Sequence, residues 1–351
     1  MVLEILDRSL YDEFERFVIS HEGGSVTQSV LWHEVKGNWL SEVVVVRGED
    51  GEIVAGVSIL VRIFPFIKTS MLYAPRGPVC DLYDEDIMRK LQQGVDLAAK
   101  KHNAHIYKID PEVLNLDAKF ILLAQSMGFK RYFGGTGFET IQARFNYRLY
   151  LNGRSEDELF ANLSQKTRYN VRVARKHGVE VRVGCMEELD DFSRLMAVTG
   201  ERDGFSTRPK AYFERMLTAL GGHVRLYMAY YDGEAVAGAI TTNYAGKTCY
   251  IYGASSNEHR RVMATYLIQW EMIRWAVETE CTVYDFQGVS GNMSEYDPLY
   301  GLYRFKRGFG GTLDELAGEF DYVYKPIMNK LADLAIALAE ILRAVKRKLG
   351  R

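Results

Sequence analysis

The chain has 351 residues, 44 basic and 46 acidic, for a formal net charge of −2, so net charge singles out neither nucleic acid nor membrane as a partner and nothing points to DNA. At 47% hydrophobic and 26% charged residues it can build a sizeable core, and its length suggests about two domains. Cys80, Cys185, Cys249 and Cys281 lie far apart without a CxxC, which argues against a disulfide framework or zinc ribbon and fits a reducing, cytoplasmic setting.

The N-terminus, MVLEILDRSLYDEFERF, is acidic and amphipathic and lacks the basic start of a signal peptide. No apolar run approaches the roughly 18 residues of a membrane span. Trp32 to Trp39 sets Lys36 between two tryptophans. From Ser41 the chain enters a pattern that returns later. Asp50-Gly-Glu-Ile-Val-Ala-Gly-Val57 matches Asp232-Gly-Glu-Ala-Val-Ala-Gly-Ala239 at six of eight positions. Each copy follows an apolar strand, and Asp-Gly between apolar runs predicts a hairpin. Each hairpin leads to a strand ending near Tyr73 or Tyr252. A helix then follows, about 84–101 or 261–280, and another strand, 105–109 or 282–286. The repeated order predicts a duplicated α/β (α+β) domain of acetyltransferase (GNAT) type.

Between the halves, Tyr147 to Leu151 reads as a strand, and 155–177 as one or two helices opened by the capping box Ser155-x-x-Glu158. On a helix, Arg168, Arg172 and Arg175 share one face, flanked by Lys166 and Lys176. Such a face either binds phosphates, as in RNA, or is simply solvated. Pro209 predicts a helix start, with Arg208 at an N-terminus that favours anions and Tyr212 beyond it.

YDFQGVSGNMSEYDP, from Tyr284, reads as a buried strand running into a glycine-broken loop. YGLYRFKRGFGG, from Tyr300, joins aromatics, cations and glycines, which suits a rim facing a charged or planar ligand. After Pro326, Ile327, Leu331, Leu334, Leu338, Ile341, Leu342, Val345 and Leu349 form an apolar stripe on one long helix. Arg343, Lys346, Arg347, Lys348 and Arg351 load its end. This helix either packs on the core or meets an anionic membrane or RNA.

Several chemistries lack support. GxSxG, P-loop, HExxH and Rossmann patterns are absent, and the seven histidines show no metal-ligand spacing. Coenzyme A on this fold needs a glycine-rich loop for its pyrophosphate. Here that loop reads Asn257-Glu-His-Arg-Arg-Val-Met-Ala-Thr265, and in the first half Arg76-Gly-Pro-Val-Cys80. Neither is built for it, so no cofactor and no metal are expected.

LSQKTRYNVRVARKHGV, YIYGASSNEHR and YDFQGVSGNMSEYDPLYGLYRFKRGFGG together resemble the Fem family, the peptidyltransferases that build peptidoglycan interpeptide bridges. The resemblance implies two tandem GNAT-like domains without coenzyme A, 1–145 plus 312–351 and 146–311, the C-terminal helix belonging to the first. Thr241 to Arg261 leaves no room for the helical arm of some members, so the chain is similar to the arm-less FemX type. The implied reaction moves an amino acid from aminoacyl-tRNA to the stem-peptide amine of a UDP-linked or lipid-linked muropeptide. The resemblance places Phe305 and Lys306 at the site of transfer and Asp110 near the acceptor amine. It places Lys36, Arg208, Tyr212 and Tyr252 around the precursor. The arginine helix, Lys166 to Lys176, is the tRNA candidate from its charge alone. An acyl-CoA N-acyltransferase and a catalytically silent binding protein remain the alternatives.

Overall fold

The computed structural model describes the backbone of residues 1–349; the side chains of 339–341 and 343–349, and all of Gly350 and Arg351, lie outside that description. The chain forms two units. One comprises Met1–Gly23, Lys36–Phe133 and Ala317–Arg351; the other comprises Gly24–Val35 and Gly134–Leu316.

The first unit is built on β1 (Val2–Ile5), β2 (Leu40–Arg47), β3 (Ile53–Phe64), β4 (Thr69–Ala74), β5 (Ala104–Ile109) and β6 (Lys130–Tyr132). The second uses β7 (Phe145–Tyr150), β8 (Glu180–Val183), β9 (Val224–Tyr231), β10 (Glu234–Tyr244), β11 (Lys247–Ser255), β12 (Val283–Gly288) and β13 (Thr312–Glu315), after which β14 (Glu319–Val323) returns to the first. Each sheet has seven strands, ordered β1-β2-β3-β4-β5-β14-β6 and β13-β7-β12-β11-β10-β9-β8. This is the duplicated GNAT-like α/β architecture.

β4 runs parallel to β5, and β11 to β12. A parallel pair needs a crossover. Helix Glu85–Lys101 supplies the first, capped by the Asp84 side chain on the Ile87 N–H, with Met88, Leu91, Val95 and Ala98 against the sheet. Helix Ala264–Glu278 supplies the second and buries Leu267, Ile268, Trp270, Met272 and Trp275, almost its whole circumference.

The unit limits fall elsewhere than 145/146 and 311/312. β13 pairs with β7, setting Leu313 opposite Tyr147, so 312–316 belong to the second sheet. Helix Leu31–Val35 packs on helix Lys210–Leu220, which draws 24–35 there too. The two Asp-Gly hairpins also differ. Asp232 and Gly233 form a two-residue turn with φ of 50° and 80° between paired Tyr231 and Glu234. The first hairpin closes at Arg47 and Ile53 over a longer loop, with only Gly51 of its Asp-Gly pair at positive φ, 87°. Region 155–177 is two helices, Glu156–Asn162 and Gln165–Lys176, and the Ser155–Glu158 capping box forms. Thr241 to Arg261 is strand and a short turn, with no helical arm.

The C-terminal helix, Pro326–Leu349, packs against β5 and the turn Pro65–Ile67 of the first unit. Of the two readings left open for its apolar stripe, core packing is not what the described side chains show. Ile327, Leu331, Leu334, Leu338 and Leu342 are exposed, while Ala332 is buried. Ile341, Val345, Leu349, Arg343, Lys346, Arg347, Lys348 and Arg351 fall outside the described side chains. Among the described residues no helix is long and apolar enough to cross a membrane.

Candidate functional site

In the second unit the parallel pair opens like a fork. β11 and β12 pair from Lys247–Val283 to Cys249–Asp285 and no further, although β11 continues to Ser255 and β12 to Gly288. Both strands depart there: β11 bulges at Ile251, with Ile240 opposite Tyr252 but Thr241 opposite Tyr250, and β12 bends beyond Asp285. The Asp285 carboxylate accepts the Gln287 N–H at 2.6 Å, and Gln287 turns left-handed with φ of 61°. A strand bent this way leaves its neighbour, and backbone groups on the inner edges lose their partners.

The fork holds a cavity of about 450 Å³ lined by Tyr250, Gly253, Gln287, Gly288, Phe305 and Lys306 among others. Helix Tyr300–Arg307 brings in the last two. Lys306 is 3% exposed. Its Nζ donates to the carbonyls of Gly288 at 2.8 Å and Gln287 at 3.3 Å, and stands 5.9 Å from the Tyr250 ring centroid. Burial depresses its pKa from 10.5 to about 7, while Asp285 pulls the other way. A lysine so placed holds its charge only weakly near neutrality and exchanges a proton readily. Asp285 is itself anchored by Arg148 Nε at 2.8 Å. Phe305 stacks edge-on to Tyr266.

A second cavity, also about 450 Å³, lies at the start of helix Ala264–Glu278 and shares Phe305, Ser255 and Thr265 with the first. Arg260 and Arg261 line it. The sequence reading weighed this loop only for coenzyme A; the paired Arg260-Arg261 just ahead of a helix was the available signal.

Arg208, Tyr212 and Tyr252 form a separate cluster in the same unit. The Arg208 guanidinium lies 5.2 Å from the Tyr212 ring centroid, and Tyr212 meets Tyr252 edge-on at 6.3 Å. Burial and Tyr252 push the Tyr212 phenol up. Pro209 is the N-cap of helix Lys210–Leu220, one position before the expected first turn. Lys36 directly follows helix Leu31–Val35, and its carbonyl accepts the Trp39 N–H.

The arginine helix is partly committed to the fold. The Arg168 guanidinium donates to the carbonyls of Ala161 and Leu163, closing the preceding helix. Arg172 stacks over Phe160 at 5.6 Å, and Arg175 reaches Glu271 at 3.3 Å. Lys166, Arg172, Arg175 and Lys176 are all exposed.

Asp110 belongs to the first unit, one residue past β5. There the parallel pair stays closed, bonded to Ala74 and Ile109. Asp110 is 2% exposed; it accepts the Tyr73 hydroxyl and the Arg76 N–H, each at 2.6 Å. Burial raises its pKa to about 6, against the opposing pull of Arg76 and Tyr73. As for metals, Glu234, Glu258 and His259 bring ligand atoms within 4.8 Å of one another, with both glutamates exposed and the histidine half-buried.

A model of the FemAB family matches residues 10–236 and 231–336. The lipid II:glycine glycyltransferase of Staphylococcus haemolyticus (strain JCSC1435) is 28% identical, covering 96% of this chain and 97% of its own. That of Staphylococcus aureus (strain USA300) is also 28% identical, covering 96% and 98%. A crystal structure of FemX superposes with a TM-score of 0.86 at 27% identity, covering 94% of this chain and 99% of the other. A tandem GNAT protein of clavulanic acid biosynthesis shares the fold, with a TM-score of 0.52 at 14% identity over 91% of this chain and 98% of the other.

Proposed function

This chain belongs to the FemAB family, and from that premise we propose that it is an aminoacyltransferase of peptidoglycan bridge formation, taking its amino acid from aminoacyl-tRNA. The acceptor is the stem-peptide amine of a muropeptide precursor. Relatives named for lipid II favour the lipid-linked form, which would bring the enzyme to a bilayer surface.

The observation that carries this reading is the buried lysine at the mouth of the fork. Transfer is aminolysis of an ester: the neutral amine attacks the aminoacyl carbonyl, a C–N bond forms and the C–O bond to the ribose breaks. The amine loses a proton and the ribose oxygen gains one. An activated ester needs no covalent enzyme intermediate, so positioning and charge suffice. Lys306, as ammonium, faces the developing oxyanion and can pass its proton to the departing ribose oxygen. A pKa near 7 suits that exchange. The terminal adenosine would lie in the fork, and preceding phosphates on Arg260 and Arg261.

Asp110 would orient the acceptor amine or take its proton, and Lys36, Arg208, Tyr212 and Tyr252 would hold the precursor. In the arginine helix, Lys166, Arg168, Arg172, Arg175 and Lys176 are the candidates for RNA, all but Arg168 exposed. Reversing the charges of Lys166 and Lys176 should weaken tRNA binding and lower its salt slope by about 2; an unchanged slope assigns that helix to solvent.

The test offers purified protein glycyl-, alanyl- and seryl-tRNA against UDP-linked and lipid-linked acceptors, with mass spectrometry of the products. One combination should gain an amino-acid mass. No product with any pair, together with tight coenzyme A binding, would replace this reading by the acyl-CoA alternative.

A further inference from the structure

One end of the first unit presents apolar side chains to solvent from two elements held together. Phe66, in the turn Pro65–Ile67 at the β3–β4 tip, is 100% exposed. Beside that turn runs the C-terminal helix, with Ile327 at 76% and Leu342 at 62% exposure, and Leu331, Leu334 and Leu338 along the same stripe. The helix docks instead through small Ala332. Polar bonds fix the two elements to one another. The Asn103 side-chain N–H donates to the Lys68 carbonyl at 2.6 Å, and Lys325 Nζ donates to both the carbonyl and the side-chain oxygen of Asn103. The Tyr324 and Lys325 N–H groups both bond to the His105 carbonyl. Phe66 and the helix stripe are therefore one rigid apolar surface rather than two loose ends.

We propose that this surface, the Phe66 tip together with the exposed face of the Pro326–Leu349 helix, docks the enzyme onto an anionic lipid bilayer. Charge selects that occupant. Arg343, Lys346, Arg347, Lys348 and Arg351 follow Glu340 with no further acid, and Lys68 and Lys330 are exposed nearer the tip. Exposed Lys68 and Lys330 near a stripe of leucines and a protruding phenylalanine, in a segment whose sequence ends rich in cations, suit a helix lying in the interface with its apolar side among acyl chains. The proposal rests on the transferase reading only in that a lipid-linked acceptor gives such docking a purpose.

The test mixes the full chain with vesicles of phosphatidylcholine alone or with phosphatidylglycerol added, and sediments them. The wild type should bind the anionic vesicles, more weakly as salt rises. Phe66→Ser and Leu334→Glu should each reduce binding about tenfold or more, with unchanged melting because both sites are exposed. Both variants should keep wild-type transfer to a water-soluble UDP-linked acceptor; wild-type protein that docks but shows no transfer to any acceptor counts against the activity, not the surface. Wild-type protein left in the supernatant, equal binding to neutral vesicles, or variants that bind unchanged would overturn the proposal. So would a concentration-dependent dimer abolished by the same variants, which would assign the face to a second copy.

Discussion

β4 and β5 in one unit, and β11 and β12 in the other, occupy the same place in a repeated order of elements, yet they end differently. The first pair stays bonded to Ala74 and Ile109; the second parts after Cys249 and Asp285. Counting from Tyr107 and Tyr284, Asp110 falls where Gln287 falls. At that position the first unit closes a buried carboxylate against Tyr73 and Arg76, and the second turns the chain left-handed and opens a cavity beneath Lys306. One duplicated scaffold has thus yielded a closed acid and an open fork. The difference arises within a few residues, while both sheets keep their strand order.

The largest expected effect is on the open fork. Lys306→Ala should lower turnover about 10²- to 10³-fold, the scale of losing one oxyanion donor, measured with purified aminoacyl-tRNA and precursor; near-normal rates would remove Lys306 from the chemistry. Next, a Cβ on Gly253 would overlap the Tyr250 hydroxyl, so Gly253→Ala should drive that ring into the cavity and cut kcat/KM about tenfold through misplaced donor.

In the closed pair, Tyr73→Phe removes a hydrogen bond that favours ionised Asp110. Its pKa should rise beyond about 6, moving the acidic limb of the kcat/KM profile to higher pH with a loss of about threefold near neutrality. A profile identical to wild type would separate Asp110 from the reaction. The smallest effect is on stability. Lys306 titrates at about 7 when folded and at 10.5 when unfolded, so the unfolded chain binds the extra proton between those values and stability rises with pH across that window. Lys306→Met should therefore stabilise the fold by about 1–2 kcal/mol at pH 7, and by less as pH approaches 10.5, in denaturant titrations.

The duplication was legible because turn chemistry and apolar periodicity are local: Asp232-Gly233, the capping box at Ser155 and the apolar positions of Glu85–Lys101 act within a few residues. The transfer pair was legible as a motif, but its setting was not. YGLYRFKRGFGG suggested a rim, and only the departure of β12 from β11 shows Lys306 buried against two carbonyls. Unit limits escaped the sequence because β13 and β14, four residues apart, join different sheets, a choice made by long-range pairing. The C-terminal stripe was visible as amphipathic, but periodicity cannot say what faces it. Arg168, Arg172 and Arg175 read as one charged face; Arg168 closes a neighbouring helix, a role that periodicity does not show, while Arg172 and Arg175 remain exposed.

β14 lies between β5 and β6, bonded to both. A ribosome must therefore release the chain through Val323 before the first sheet can be completed, although most of its strands are made early. The second sheet lacks nothing once Glu315 has emerged, so during synthesis the later-encoded half can finish ahead of the earlier one. A nonsense codon just after residue 316 would spare every strand of the second unit and leave β6 without its partner in the first.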